Sequence, residues 1–228
     1  MNSRNIRQTK AGKTIAKVLL DTKAVNFRPE NPYKLTAGWH SPVYIDCRWL
    51  ISFPWARRVI TLLASEEIEE NVGINNLDCI AGGETAGIPY ASWISDTLDK
   101  PMIYVRKKPK GFGRMAQIEG QLEEDSRVIL IEDLATDGGS KISFINAIRE
   151  AGAICNETFV VFFYGVFQGS DKLLKDAGIN LTYLCSWADV ISVAEEKEYF
   201  DKNKVQEVKN FLENPIEWSK VNGGRDKI

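Results

Sequence analysis

Val128-Ile129-Leu130-Ile131-Glu132-Asp133-Leu134-Ala135-Thr136-Asp137-Gly138-Gly139-Ser140-Lys141 is the run whose reading decides the fold. Four consecutive apolar residues at 128–131 read as a buried strand. Two adjacent carboxylates, Glu132 and Asp133, follow at its carboxyl end. The segment 136–140 then turns the chain, and apolar residues at Ile142, Ile145 and Ile148 predict a helix that ends near Gly152. An open α/β sheet builds a site for a phosphorylated sugar from this order of strand, acidic pair, glycine turn and helix. Ligands gather beyond the carboxyl ends of parallel strands, and phosphates sit on helix amino termini.

Each part has a chemical use. Glu132 and Asp133 can accept hydrogen bonds from two neighbouring hydroxyls, such as a ribose diol. Gly138 and Gly139 let the backbone come close to a phosphate, with free N–H groups aimed at the anion. Thr136 and Ser140 add hydroxyl donors. A plainer reading is an ordinary turn with Asp137 or Ser140 as a helix cap. The acidic pair weighs against it, because two charges at a buried strand end are costly without a partner.

Working outward, a second strand–glycine-turn–helix unit lies upstream. A strand at 77–81 runs into Gly82-Gly83-Glu84-Thr85-Ala86-Gly87-Ile88-Pro89 and a helix to about Leu98. A third strand at 102–105 leads directly into Arg106-Lys107-Lys108-Pro109-Lys110-Gly111-Phe112-Gly113-Arg114, five cations in nine residues. Such a cluster repels itself unless an anion neutralises it, and its glycines suit a mobile flap. A solvated surface loop and a nucleic-acid patch are the alternatives. A fifth strand at 157–164 is mostly apolar and is expected inside the sheet. A short helix at 173–177, a strand at 181–184, a helix at 187–194, a charged helix around 204–212 and a polar tail complete the chain. Ahead of the sheet, residues 1–13 read as frayed, 14–20 as a short amphipathic helix and 25–32 as a loop. Short strands follow at 33–38 and 42–47, then a helix at 55–70. Alternating strands and helices predict a mainly parallel sheet with right-handed crossovers.

The chain has 228 residues, enough for one α/β domain of ordinary size or a domain with a small appendage. A net charge of −2 argues against a general nucleic-acid binder. The cysteines at 47, 79, 155 and 185 form no Cys-x-x-Cys pair and read as buried free thiols of a reducing compartment. The longest apolar run, 159–167, is too short for a bilayer, and residues 1–13 lack the apolar core of a secretory signal. A cytoplasmic location is expected, without membrane or nucleic-acid partners.

The run 128–141 resembles the phosphoribosyl-pyrophosphate-binding pattern of type I phosphoribosyltransferases, except that Asp137 stands where a small residue is usual. The basic loop narrows the resemblance to orotate phosphoribosyltransferases: Arg106, Lys107 and Lys110 match its Arg-Lys and following Lys, and Ile118-Glu119-Gly120 matches its end. Ser41-Pro42-Val43-Tyr44-Ile45-Asp46 with Arg48 resembles the family's segment over the base. Residues 82–89 resemble its pyrophosphate turn, which often holds a cis peptide, by position Glu84–Thr85. Phe112 replaces a frequent His, Thr36 a frequent Lys, and the run through Val166 lacks a frequent Arg. Backbone N–H groups, Lys34, His40 or Arg48 are left as candidates for the orotate carboxylate. His40, the sole histidine, reads more naturally as a structural or surface residue.

The resemblance implies the type I phosphoribosyltransferase fold, a mainly parallel sheet flanked by helices with a small amino-terminal hood. It divides the chain into a hood segment at 1–50, a core at 51–200 and a carboxy-terminal helix and tail at 201–228. It implies transfer of the phosphoribosyl group from phosphoribosyl pyrophosphate to orotate. Lys110, Arg106 and Asp133 would be catalytic. Phosphoribosyl pyrophosphate would lie on Arg106, Lys107, Lys110 and residues 132–140, namely Glu132, Asp133, Leu134, Ala135, Thr136, Asp137, Gly138, Gly139 and Ser140. Orotate would meet Thr136 and Tyr44. Mg²⁺ would be held mainly by the substrate, with no direct protein ligand, and a homodimer would share the basic loop across subunits. Alternatives are a purine or uracil phosphoribosyltransferase, or a regulatory protein of the same fold that senses phosphoribosyl pyrophosphate.

Overall fold

The computed structural model describes residues 6–35, 38–111, 113, 116–136, 139–166 and 170–225. Asp137, Gly138, Thr36 and Phe112, singled out above, lie outside the described residues. By contact the chain divides into two compact units, residues 54–184, and residues 1–53 together with 185–228. The amino- and carboxy-terminal segments, expected as separate pieces, thus fall in one unit.

Helix α1 (Ile6–Asp21) is twice as long as its apolar pattern indicates. Polar residues ahead of Thr14 include good helix formers such as Gln8 and Lys10, and burial of Ala11, Ile15, Ala16, Val18 and Leu19 carries the helix inward. The expected loop at 25–32 contains a strand, β1 (Val25–Phe27). Strands β2 (Tyr33–Lys34) and β3 (His40–Ser41) pair antiparallel, with Lys34 opposite His40. Strand β4 (Val43–Ile45) pairs not with that hairpin but with β1, Val25 opposite Ile45. A 3₁₀ helix (Cys47–Ser52) capped by Asp46 follows.

The second unit opens with α2 (Pro54–Asn71) and holds β5 (Cys79–Gly83), α3 (Gly87–Leu98), β6 (Met102–Val105) and β7 (Ile118–Glu119). It continues through β8 (Arg127–Ala135), α4 (Gly139–Glu150), β9 (Ile154–Phe163), α5 (Ser170–Asp176) and β10 (Asn180–Ser186). The six strands are ordered β10-β9-β8-β5-β6-β7. Strands β6, β5, β8 and β9 run parallel, and β7 returns antiparallel on β6. Phe159, Val160, Val161 and Phe162 are fully buried, as an apolar strand flanked on both sides requires. One apolar core joins Cys79, Ala81, Val128 and Leu130 of the sheet to Phe144, Ile145 and Ile148 of α4 and Leu174 of α5. Helix α3 packs on β5 and β8 and against α2. At the amino ends of β5 and β8, Arg127 grips Asp78 through Nε at 2.8 Å and Nη2 at 2.7 Å. All four cysteines are buried free thiols.

After β10 come α6 (Trp187–Glu196), α7 (Lys202–Glu213) and α8 (Pro215–Val221). The expected polar tail is therefore helical over 215–221. Asn214 caps it by accepting from the Glu217 N–H, and Pro215 occupies the first helical position, where its missing donor costs nothing. No helix among the described residues is long and apolar enough to cross a membrane.

Candidate active site

Three neighbouring parallel strands carry the sequence-predicted segments. Register pairs Gly82 with Ile131 and Gly83 with Val105, so the carboxyl ends of β8, β5 and β6 lie side by side. The acidic end of β8, the glycine turn at 82–89 and the root of the basic loop at Arg106 therefore lie at one edge of the sheet. A parallel sheet offers its ligand surface there.

Strand β8 extends past Ile131 to Ala135, so the acidic pair lies inside the strand rather than after it. Consecutive strand residues point to opposite faces. Glu132 and Asp133 therefore leave the strand on opposite faces, and the acidic pair expected after the strand is part of it. Glu132 is only 7% exposed. Its Oε2 lies 3.4 Å from Lys141 Nζ, and its Oε1 is buried without a hydrogen-bond partner among the described residues. Burial pushes its carboxyl up to about 7, with Lys141 opposing the rise. Asp133 stays half-buried.

The glycines of the neighbouring turn make room for this buried acid. A Cβ on Gly83 would stand 2.3 Å from Glu132 Oε1, and one on Gly87 would stand 2.7 Å from the same atom and 2.3 Å from the Ile131 carbonyl oxygen. Between these glycines the Glu84–Thr85 peptide is cis, as the resemblance implies. Glu84 Oε2 accepts from the Lys107 amide at 2.7 Å, joining this turn to the basic loop.

The loop base is zipped. The Arg106 N–H donates to Gln117 O at 2.8 Å and the Lys110 N–H to Ala116 O at 2.7 Å. The Arg106 side chain turns to Glu119 at 3.3 Å rather than outward, while Lys107 and Lys110 are exposed. Thr136 is half-buried at the strand end, Ala135 is buried and Leu134 half-buried, and Gly139 and Ser140 open α4 as exposed residues.

Tyr44 belongs to the other unit. Its ring lies 5.3 Å from that of Tyr33, and Arg48 Nη2 reaches its hydroxyl at 3.4 Å while holding Asp46. His40 is occupied structurally: its Nδ1 lies 2.7 Å from Asn222 O, and its N–H donates to Ser219 Oγ at 3.0 Å. Sequence reasoning missed Lys141 altogether. A lysine in the first turn of an amphipathic helix reads as solvated; the available signal was the need of a buried Glu132 for a cation.

No protein-family model matches the chain. It is 47% identical over 210 residues to the orotate phosphoribosyltransferase of Allorhizobium ampelinum, covering 92% of this chain and 91% of the relative. It is 49% identical over 214 residues to that of Rhizobium johnstonii, covering 94% and 93%. The crystal structure of orotate phosphoribosyltransferase from Aeropyrum pernix superposes with a TM-score of 0.69 at 28% identity, over 82% of this chain and 99% of that one.

Proposed function

The chain belongs to the orotate phosphoribosyltransferase family, and from that premise we propose how its residues divide the work. The enzyme transfers the phosphoribosyl group of phosphoribosyl pyrophosphate to orotate, a step of pyrimidine biosynthesis, and yields orotidine 5′-monophosphate and pyrophosphate. The observation that carries the assignment of roles is the meeting of β8, β5 and β6 at one edge of the sheet. That edge delivers an acid, an anion-binding turn and a basic loop together.

Orotate carries its own negative charge at the attacking ring nitrogen, so no strong base is called for. The difficulty is departure of pyrophosphate from a ribose that becomes cationic. Positioning and electrostatics answer that difficulty. Asp133, with Glu132 behind it, holds the ribose hydroxyls and favours the developing positive charge. Residues 136–140, with the N–H groups that open α4, grip the 5′-phosphate. The turn at Glu84 and Thr85 receives the pyrophosphate, and Arg106, Lys107 and Lys110 neutralise it as it leaves. Thr136 contacts orotate.

Mg²⁺ suits this donor set as a companion of the substrate. Among the described residues no three His, Cys, Asp or Glu side chains are grouped to cage an ion, and Mg²⁺ commonly sits on substrate phosphates with few protein ligands. When bound with the substrate, the ion would supply positive charge that offsets the charge of the leaving group. The working form in this proposal is a cytoplasmic homodimer in which the basic loop of one subunit serves its partner's site.

An absorbance assay of orotate consumption with phosphoribosyl pyrophosphate and Mg²⁺ tests the reading, with adenine, guanine, hypoxanthine and uracil in parallel. Consumption of orotate alone is expected. Turnover of a purine or uracil in preference to orotate would overturn it.

A further inference from the structure

Lys141 sits where a lysine is not expected. It lies in the first turn of α4, where the helix dipole disfavours a cation, and its side chain is only 6% exposed. Its Nζ lies 3.4 Å from Glu132 Oε2 and 3.2 Å from Ser140 Oγ, and it donates to the carbonyl of Leu134. The three contacts fall on three parts of one cradle: the acid within β8, the strand's exit and the first turn of the helix. Glu132 is confined from its other side by Gly83 and Gly87, each of which would clash with it if it carried a Cβ. One ammonium thus ties the strand end to the phosphate turn.

We propose that Lys141 is a positioning residue for phosphoribosyl transfer: it braces Glu132 against the strand exit at Leu134 and the first turn of α4 at Ser140, so that these parts of the cradle are in place before phosphoribosyl pyrophosphate arrives. The inference rests on the assignment of residues 132–140 as the phosphoribosyl site. The charged groups close enough to act on Glu132 are Lys141 on α4, Asp133 beside it on the opposite face of β8 and Lys107 on the basic loop. The residues that β5 and α3 press against it, Gly83 and Gly87, bring no charge, and neither does Phe144 of α4, which lines the same space at Gly83. Burial favours the protonated acid and Lys141 favours the carboxylate. Without Lys141 the acid keeps its proton to higher pH, and the tie between strand and turn is lost.

Lys141→Met tests this, read as KM for phosphoribosyl pyrophosphate, kcat, and the pH profile of kcat/KM. KM is expected to rise about tenfold with a smaller change in kcat, and the acid limb to move up by roughly one pH unit. A wild-type KM and an unmoved acid limb would overturn the proposal, whereas a purely structural lysine would lower stability and leave the acid limb in place. Should Lys141→Met fail to fold, the double variant E132Q/K141M, which removes the buried charge together with its partner, is compared with E132Q. Weaker binding by the double variant supports the brace, and equal binding overturns it. Asp133→Asn separates the two readings, since unchanged affinity in that variant would overturn the site assignment, and the brace with it. Weakened affinity in Asp133→Asn beside a wild-type Lys141→Met would overturn the brace alone.

Discussion

The amide of Lys107 donates to the carboxylate of Glu84 at 2.7 Å, fastening the root of the basic loop to the turn that follows β5. A hydrogen bond to a charged acceptor is among the stronger ones. Glu84→Ala is expected to lower kcat/KM for phosphoribosyl pyrophosphate by roughly tenfold, or about 1.4 kcal/mol, with little change in thermal midpoint. Glu84→Gln, which keeps an acceptor and loses only charge, should fall between. Steady-state kinetics on both variants decide the matter, and wild-type values in Glu84→Ala would show that the loop root needs no such anchor.

Lys110 is exposed, and its backbone alone is fixed, through the N–H to Ala116 O. Its side chain has no hydrogen bond or ion pair among the described residues, and Lys110→Ala should leave stability unchanged. If the loop closes on the leaving pyrophosphate, kcat falls by about a hundredfold, in line with ~3 kcal/mol for one preorganised charge contact. Turnover at the wild-type rate would take Lys110 out of the mechanism.

Gly87 faces a backbone oxygen that cannot rotate away. A methyl there would stand 2.3 Å from Ile131 O, so α3 or β8 must shift. Gly87→Ala is expected to cost about 1–3 kcal/mol, and each kcal/mol lowers the midpoint of a chain this long by about 2–4 °C. Calorimetry measures it. Gly178→Ala is the comparison, since nothing lies within 4 Å of a Cβ there; its positive φ of 67° makes its own cost one of backbone strain alone.

Glu132 also links stability to pH. Burial raises its carboxyl from 4.5 to about 7, so the folded protein holds this proton more tightly than the unfolded chain does. Stability from this group is present below about pH 4.5 and is lost as pH rises to about 7, amounting to ~3 kcal/mol over the window. The wild-type protein should accordingly lose ground to Glu132→Gln between pH 5 and pH 8 in urea unfolding. A stability difference that is constant with pH would show that Glu132 ionises normally.

Much of the sheet was legible because its strands are short apolar runs bounded by glycine and charge, and β6 agrees residue for residue. Strand β8 was cut short because Glu132 and Asp133 end the apolar run, although the backbone continues through them. Lys141 escaped notice because its burial depends on a partner nine positions earlier, Glu132, which is itself admitted by Gly83 of β5 and Gly87 of α3. The start of α8 was marked plainly by Asn214 and Pro215, but its polar composition hid a helix whose Trp218 and Ser219 are buried. The cis Glu84–Thr85 peptide came from family resemblance; no local pattern of residues announces it.

The division of contacts has a consequence for biosynthesis. Residues 54–184 form a contiguous unit, which can fold as soon as it has been made. The other unit joins the first 53 residues to those from 185 onward, and the hairpin carrying His40 is held by Ser219 and Asn222. Domains ordinarily fold in the order in which they leave the ribosome. In this chain that order is broken: β1 can pair with β4 early, whereas the contacts that hold His40 are complete only once Ser219 and Asn222 have been made.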